Sequence, residues 1–331
     1  MLVRRGAALL TIVAALVQGC GGDSAVAPTK PVHVVPTGPR LSYIYDSHLH
    51  VVDPDGGHDT TVIATRQVGY YAWHGATERI AYLANGALRI LDRSTGSDRI
   101  VPSVGDASAI VWFAWSPDGN RLLYVEGTKI VVVTASGGSP VTLSVKTDYN
   151  GMPAWSPDGQ SIATPDVGGA PLWIAPANGG VARKIDSPSY ASHPRWAPNG
   201  AAVVFEGAGG IWIAPANGGA AYEILHESCW PACGSNDVYQ YPRYSPDGTK
   251  LAGIKGPGGG LWVANADGSN LMLFPTQAPI APLPEWSPDG SMIAFVGGGL
   301  SSWDIYTIHP DGSFRSPVTN VGRADLPRWV R

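Results

Sequence analysis

The stretch Trp155-Ser-Pro-Asp-Gly159, followed by the apolar residues Ile162 and Ala163, decides the fold of this 331-residue chain. Proline presets φ at the second position of a type I β-turn, and glycine accepts a positive φ at its exit, so the stretch predicts a tight turn between two strands. Closely similar stretches occur at Trp115–Gly119, Trp196–Gly200, Tyr244–Gly248 and Trp286–Gly290. Such recurrence predicts an array of similar structural units.

Aromatic residues mark the period of this repeat. They lie at Trp73, Trp115, Trp155, Trp196, Tyr244, Trp286 and Trp329, at intervals of 40 to 48 residues. Most turns are followed by an apolar strand, a Gly-rich connection, a second strand such as Leu172–Ala175, and an Asn-Gly or Asp-Gly hairpin signal. Four strands per unit at this period describe a blade of a β-propeller.

The two ends of the repeat region are incomplete units. Leu41–Tyr45 predicts a strand without a preceding Trp turn, and Trp329 lies in a last strand with no further strand after it. We expect these fragments to join in one blade, because a closed ring has no open sheet edge. With six internal units, residues 41–331 then form an all-β propeller of seven four-stranded blades.

The repeated unit, with strands such as Leu261–Ala264 and the turn at Asp267-Gly268, resembles the PD40 or TolB-like propeller repeat. It lacks the Gly-His and Trp-Asp pairs of WD40 repeats and the paired glycines of kelch repeats. The resemblance implies a fold more firmly than a function, because this propeller serves many roles.

Residues 1–20 predict an export signal. Arg4 and Arg5 precede an apolar run, Gly6–Val17, that is too short to span a bilayer. The ending Val17-Gln18-Gly19-Cys20 resembles the bacterial lipobox, although its glutamine departs from the usual small or aliphatic residue. The resemblance implies that Cys20 is acylated after cleavage, which anchors the exported protein to the cell envelope, facing the periplasm or the cell surface. The alternative is an ordinary signal peptide with an incidental cysteine.

Residues 21–40 are rich in proline and glycine and predict a disordered tether with an r.m.s. reach of about 25 Å. The other two cysteines, Cys229 and Cys233, lie in Cys-Trp-Pro-Ala-Cys. An oxidising compartment favours a disulfide between them. A metal site is the alternative, and it would need further ligands, for which His226 and Glu227 are the neighbours in sequence.

The charge pattern does not indicate a nucleic-acid partner, and the sequence motifs do not indicate a cofactor. The formal net charge is −4, and no cluster of Lys and Arg forms a phosphate-tracking surface. The glycine runs Gly256–Gly260 and Gly297–Gly299 do not match phosphate-binding loops, and no Gly-x-Ser-x-Gly elbow is present. Asp46, His48 and His50 alternate and form a possible metal set, but we interpret them as surface or edge residues. We therefore expect a protein that is not an enzyme and has no resident metal.

Two faces of the predicted ring differ in sequence. The turn face carries the Trp turns and the Asn-Gly or Asp-Gly hairpins, whereas the loop face carries the Gly-rich connections and the links between blades. The loop face includes the insertion 226–237. Variable segments on a rigid scaffold are where binding usually occurs, so we expect function on the loop face.

The candidate contact residues centre on the innermost strands. Three residues before each repeat aromatic lie Tyr70, Trp112, Met152, His193, Tyr241, Leu283 and Leu326. Alternation along a strand predicts that they share one orientation and that several line the central channel. One interpretation is packing that fills the channel. The other is a partly aromatic binding cup, with candidate partner contacts at Tyr70, Trp112, Tyr149, Met152, His193, Trp230 and Tyr241.

We therefore expect a monomeric, non-enzymatic, membrane-tethered module that docks a protein or peptide of the cell envelope on its loop face. The alternative is a glycan-binding propeller or one similar to polysaccharide lyases, which would use the same face. Such lyases resemble metal-dependent enzymes with several channel histidines, and only His193 is suitably placed here.

Overall fold

The computed structural model describes residues 38–64, 67–148, 151–169, 171–187, 190–227, 238–256, 260–276, 283–299 and 302–330. The predicted signal, Cys20 and most of the tether lie outside these residues. So do Tyr149, Trp230 and the pair Cys229 and Cys233. The expectations placed on them stay predictions.

The described residues form 28 β-strands. The first eleven are β1 (Arg40–Tyr45), β2 (His48–Val52), β3 (Thr60–Ile63), β4 (Val68–His74), β5 (Arg79–Ala84), β6 (Ala87–Asp92), β7 (Ser97–Ile100), β8 (Ile110–Trp115), β9 (Arg121–Glu126), β10 (Lys129–Thr134) and β11 (Val141–Lys146). The next twelve are β12 (Ala154–Trp155), β13 (Ser161–Pro165), β14 (Leu172–Pro176), β15 (Arg183–Ile185), β16 (Ala191–Trp196), β17 (Ala202–Gly207), β18 (Gly210–Pro215), β19 (Tyr222–His226), β20 (Tyr239–Tyr244), β21 (Lys250–Lys255), β22 (Gly260–Asn265) and β23 (Met272–Phe274). The last five are β24 (Glu285–Trp286), β25 (Ile293–Gly298), β26 (Trp303–Ile308), β27 (Ser316–Pro317) and β28 (Asp325–Val330).

These strands form seven antiparallel four-stranded sheets, which confirms the predicted propeller. Blades 2 to 7 each take four consecutive strands, from β4–β7 to β24–β27. Two short 3-10 turns, Gly75–Thr77 and Ala107–Ala109, complete the secondary structure of the described residues. Within this described part, no helix is long and apolar enough to cross a membrane.

Blade 1 closes the ring with strands from both ends of the chain. Its order is β28-β1-β2-β3, and Leu41 pairs with Trp329 in the antiparallel register. The Tyr71 hydroxyl of blade 2 donates to Leu326 O at 2.8 Å, so the neighbouring blade also holds the last strand. The expectation that the first and last strands pair is confirmed, and this pairing removes the free edge that would otherwise invite further strand addition.

The hydrophobic core is divided among the interfaces between blades. Seven apolar clusters are found in the described residues, and each combines side chains from two adjacent blades. Strand β10 shows how the alternation works: Ile130 and Val132 pack against blade 4, whereas Val131 and Val133 pack against blade 2. A strand that is apolar on both faces is therefore buried on both faces, as the sequence of the inner strands indicates.

The repeat tryptophans link each blade to the one before it. The indole Nε1–H donates to a backbone carbonyl of the preceding blade at 3.0 to 3.2 Å in five cases. The pairs are Trp115 to Ala72, Trp155 to Ala114, Trp196 to Ala154, Trp286 to Arg243 and Trp329 to Glu285. Tyr244 has no indole to donate, and Trp73 Nε1 has no partner among the described residues. Each of these part-buried bonds satisfies an indole donor and a backbone carbonyl together.

The Ser-Pro-Asp-Gly turns that follow these aromatics are stabilised by their own side chains. In blade 4, Ser156 Oγ donates to Asp158 Oδ1 at 2.5 Å, and Gly159, with φ of 68°, closes the turn by donating to Ser156 O. The Ser156 hydroxyl, followed by the Gln160 backbone N–H, lowers the pKa of Asp158, because these hydrogen bonds favour the ionised carboxylate. The turn face is thus built from rigid, self-contained turns.

Replacing Trp155 with phenylalanine tests the linking bond. Trp155→Phe should lower the free energy of unfolding by about 1 to 2 kcal/mol more than Trp73→Phe, because only the first leaves a part-buried carbonyl without its donor. The two sites are matched, since an arginine carbon Cζ lies 4.9 Å from each indole ring. Urea denaturation measures both values, and equal costs would show that the indole hydrogen bond contributes nothing.

Candidate functional site in the central channel

The residue immediately before each repeat aromatic lines a cavity at the axis of the ring. These seven residues are Ala72, Ala114, Ala154, Arg195, Arg243, Glu285 and Arg328. The backbone of five of them is fixed, because their carbonyls accept the indole hydrogen bonds described above. The side chain at this position can therefore differ between blades while the backbone stays in place.

The distribution of these side chains leaves open space in the channel. Blades 2, 3 and 4 contribute alanines, whereas blades 5, 6, 7 and 1 contribute long charged side chains. A cavity of about 510 Å³ results, a size within the range of small-ligand sites. Its lining includes His74, Ser116 and Pro117, which lie where the inner strands end, so the cavity reaches the turn face.

One carboxylate in the cavity holds two of the arginines. Arg243 Nη1 lies 3.0 Å from both carboxylate oxygens of Glu285, and Arg328 Nη1 also pairs with Glu285. These three side chains are only 15 to 18% exposed. Hydrogen-bonded pairs of this kind compensate the cost of removing both charges from water. The Glu285 carboxylate raises the pKa of Arg328 against the opposing effect of burial.

Arg195 is the third arginine of the cavity, and it forms no ion pair within the described residues. Its Nη1 donates to Pro194 O at 2.8 Å and to Met152 O at 3.3 Å, and these are its hydrogen bonds in the described part of the chain. Burial, and secondly the Arg243 guanidinium, lower the pKa of Arg195 to about 9. Arg195 therefore remains a cation at neutral pH, and the cavity carries two more positive charges than negative ones.

Tyr70 and Trp112 form the aromatic wall of the cavity. Their ring centroids lie 5.3 Å apart, and Trp112 Nε1 donates to Pro153 O at 3.2 Å. The guanidinium carbon of Arg195 lies 5.8 Å from the Trp112 ring, within the range of a cation–π contact. The structure thus brings two of the predicted contact residues together with the arginines.

The other residues of that predicted series take a different backbone conformation. Met152, His193, Tyr241 and Leu326 have φ values of 43°, 49°, 54° and 51°, and a proline follows each of them. Proline cannot donate to the ladder, and the register shifts at this point in blades 5, 6 and 1. In blades 2 and 3 the register shifts earlier, directly before Tyr70 and Trp112, and the pairing is regular from these residues onward.

Met152, His193, Tyr241 and Leu326 are not among the described residues that line the cavity. Tyr241 packs against the apolar cluster between blades 6 and 7, and Leu326 packs against the cluster between blades 1 and 2. Tyr70 packs in the same way against the cluster between blades 2 and 3, so the shared orientation of the seven residues stays a prediction. Leu283 also precedes a proline, but it is not among the residues with positive φ.

His193 and Tyr241 form a second cluster with a buried glutamate. Their rings lie 4.4 Å apart, and His193 Nδ1 lies 2.9 Å from Glu206 Oε1. Ser192 Oγ donates to Glu206 Oε2 at 2.8 Å, and the Tyr241 backbone N–H also donates to this carboxylate. His193 and Glu206 are 7% and 6% exposed. These contacts hold the inner strands of blades 5 and 6 together.

Asp46, His48 and His50 of blade 1, the possible metal set, do not form one site, and His50 makes local contacts instead. His50 stacks on Tyr43 with ring centroids 5.1 Å apart, and its Nδ1 lies 3.4 Å from Asp59. Asp46 and His48 flank the β1–β2 turn. Across the described ranges, no group of three or more His, Cys, Asp or Glu side chains is arranged to hold a metal ion.

The four charged residues of the cavity were missed by reasoning from sequence alone, although the signal was present. Each lies two positions after a member of the predicted series, so alternation from Tyr70 and Trp112 applies to this position too. The prolines were the neglected signal. In blades 5 and 1, where a proline interrupts the inner strand, Arg195 and Arg328 line the channel. His193 and Leu326, two positions earlier, are not part of this lining.

The model of the TolB β-propeller domain family, PD40, matches residues 77–331 of the chain. The chain belongs to this family. The match confirms the resemblance seen in the repeated turns, and it covers the channel residues from Trp112 to Arg328.

Solved structures similar to the chain show the same fold at low identity. A putative TolB from Agrobacterium tumefaciens is 20% identical with a TM-score of 0.52, covering 68% of this chain and 85% of the other. TolB from Acinetobacter baumannii is 18% identical with a TM-score of 0.51, covering 86% and 78%. An oligogalacturonate lyase in complex with manganese is 15% identical with a TM-score of 0.59, covering 78% and 82%.

A sequence comparison finds a relative named uncharacterized peptidase YuxL from Bacillus subtilis (strain 168). It is 34% identical over 106 residues, which cover 27% of this chain and 16% of the relative. The chain thus matches about a sixth of that protein's length. Activity therefore has to be argued from the site.

Glu285→Gln tests the electrostatics of the cavity. The substitution should lower the free energy of unfolding by about 3 kcal/mol, because it leaves two buried guanidinium groups without their carboxylate. Glu78→Gln is the matched control, since the Glu78–Arg93 pair at 2.7 Å is about 40% exposed on both sides and should contribute at most about 1 kcal/mol. Chemical denaturation at low salt measures both, and similar costs would contradict this assignment.

Proposed function

We propose that the chain is a non-enzymatic binding module of the bacterial cell envelope, tethered through an acylated Cys20, whose propeller docks a protein or peptide. Family membership supports a propeller that works by binding, and the export signal in the sequence supports the envelope as its location. The observation that carries the proposal is the channel cavity, which all seven blades line and which combines aromatic and charged side chains.

The cavity favours recognition over packing. Structural filling would use apolar side chains matched to the available volume, as in small closed barrels. Here the channel instead keeps about 510 Å³ of open space beside Tyr70, Trp112 and four charged residues. Tyrosine, tryptophan and arginine are the residues that most often dominate binding energy at interfaces. The cavity reaches the turn face, so we place docking there, and docking on the loop face stays a prediction from sequence variability.

Filling the cavity tests this proposal. Ala114→Phe adds a phenyl ring to the cavity wall and should reduce the partner recovered from cross-linked, solubilised envelopes at least tenfold, because the ligand and the ring compete for one space. Ala220→Phe is the matched control on an exposed position of blade 5 and should recover as much partner as the unaltered chain. Unfolding midpoints of both variants verify that they are folded.

Two outcomes would contradict the proposed site. Equal recovery with Ala114→Phe would exclude the channel cavity as the docking site. Loss of the partner with Trp230→Ala, but not with Ala114→Phe, would instead locate docking on the loop face, as loop variability predicts.

The tether makes a separate prediction. A Cys20→Ser chain should move from the membrane pellet to the soluble fraction of fractionated cells, because the acyl chains that supply about 0.8 kcal/mol per buried CH₂ are absent. Metabolic labelling with a fatty acid measures the modification directly. A Cys20→Ser chain that pellets like the unaltered one would contradict lipid anchoring.

A second candidate function is binding of an acidic glycan. The excess of positive charge in the cavity favours it, because guanidinium groups bind sugar carboxylates as readily as peptide carboxylates. A glycan that is bound without turnover, and that no longer binds Ala114→Phe, would support this candidate over a protein partner.

A further inference from the structure

We propose that the channel cavity binds a carboxylate, presented by the end of a peptide chain or by an acidic side chain, with Arg195 as the residue that grips it. This inference rests on the proposed binding function and names the chemical group that the site takes. Three observations carry it. They are the excess of positive charge in the cavity, the N–H groups of Arg195 that have no partner among the described residues, and the approach to the site along the axis of the ring.

Among the described residues that line the cavity, positive charges outnumber negative ones. Glu285 compensates Arg243 and Arg328 together, so three guanidinium groups face one carboxylate. Arg243 Nε is buried without a hydrogen-bond partner among the described residues. Confining like charges away from water is costly unless an opposite charge joins them. A bound carboxylate would supply that charge where the protein does not.

Arg195 is oriented to accept such a group. Both of its hydrogen bonds use Nη1, so its Nε–H and Nη2–H have no partner in the described part of the chain. Nε–H and Nη2–H lie on one edge of a guanidinium and match the two oxygens of a carboxylate. The bonds to Met152 O and Pro194 O fix the opposite edge, which orders the side chain before the ligand arrives.

The surroundings of Arg195 select for an apolar group next to the carboxylate. Trp112 lies under the guanidinium and Tyr70 lies beside Trp112, so a flat or aliphatic group attached to the carboxylate would contact both rings. The small side chains of Ala114 and Ala154, which also line the cavity, leave space beside these rings. An aromatic carboxylate should therefore bind better than acetate.

The position of the site favours a peptide over a polysaccharide. Inner strands of all seven blades enclose the cavity, and the lining residues His74, Ser116 and Pro117 mark its approach from the turn face. A ligand must enter along the axis, which suits a chain terminus or a single side chain. A polymer that runs across a surface would instead need an open groove.

Calorimetric titration of the full-length chain with benzoate and its neutral isostere benzamide tests the proposal. Benzoate should bind at least tenfold more tightly than benzamide, and its affinity should fall as sodium chloride is added, because salt screens the guanidinium groups. Arg195→Gln should weaken benzoate binding at least tenfold, and Arg195→Lys should weaken it less, because it keeps the charge but loses the fork. Arg183→Gln, on the exposed edge of blade 4, should leave it unchanged.

Stability provides a second readout that a purely structural role would not produce. Arg195→Gln removes an uncompensated cation, so its unfolding midpoint should equal or exceed that of the unaltered chain. A substantial drop in the midpoint, with unchanged benzoate affinity, would show that Arg195 stabilises the ring and grips no ligand.

Further probes identify the source of the carboxylate. A short peptide ending in phenylalanine should bind with a free carboxyl terminus and not as its amide if a chain end is recognised, whereas an amidated peptide with an internal glutamate should bind if a side chain is recognised. Equal binding of benzoate and benzamide would overturn the inference. Stronger binding of inorganic phosphate than of benzoate, or Arg195-dependent binding of oligogalacturonate but of neither peptide, would overturn the assignment to a peptide carboxylate.

The proposed function and this inference can fail separately. A partner whose recovery depends on Ala114 but not on Arg195 would keep the docking function and overturn the carboxylate. Arg195-dependent binding of benzoate without any recovered partner would keep the carboxylate site and contradict the docking of an envelope protein.

Discussion

The hydrogen bond from an indole Nε1–H to a carbonyl of the preceding blade is the interaction on which the rest of this structure depends. It recurs at five of the seven blade interfaces, with lengths of 3.0 to 3.2 Å. The bond fixes the inner strand of one blade against the next at the point where each strand approaches the axis. Because the carbonyl belongs to the residue just before the repeat aromatic, the same bond also sets the residue that lines the channel. Architecture and site therefore share one constraint.

This hydrogen bond holds the backbone of the inner strands, whereas the channel-lining side chains differ from blade to blade. The backbone at the channel-lining position is held by this bond in five blades, while the side chain changes from alanine in blades 2 to 4 to arginine or glutamate in blades 5, 6, 7 and 1. An asymmetric site is thus built on a nearly symmetric ring. The apolar clusters lie between the blades, and the channel-lining residues Ala72 and Ala114 pack against two of them.

The relatives of this chain illustrate why the fold alone does not assign a function. Two TolB propellers and an oligogalacturonate lyase share the architecture at 15 to 20% identity. What differs between such proteins is the chemistry of the few side chains that the frame presents. Here those side chains include three arginines, one glutamate and two aromatic rings, a set that can bind an anion.

The sequence by itself determined the number of blades, the closure of the ring and the two aromatic residues of the cavity, because tight turns and alternation are local properties that a short stretch of chain specifies. It did not determine the backbone conformation of Met152, His193 and Tyr241, each of which takes a positive φ before a proline, outside the extended range that alternation assumes. Only the tertiary structure decided that Arg195, Arg243, Glu285 and Arg328 meet in one cavity. These residues come from four different blades, and their balance of charge depends on distances that exist only once the ring has closed.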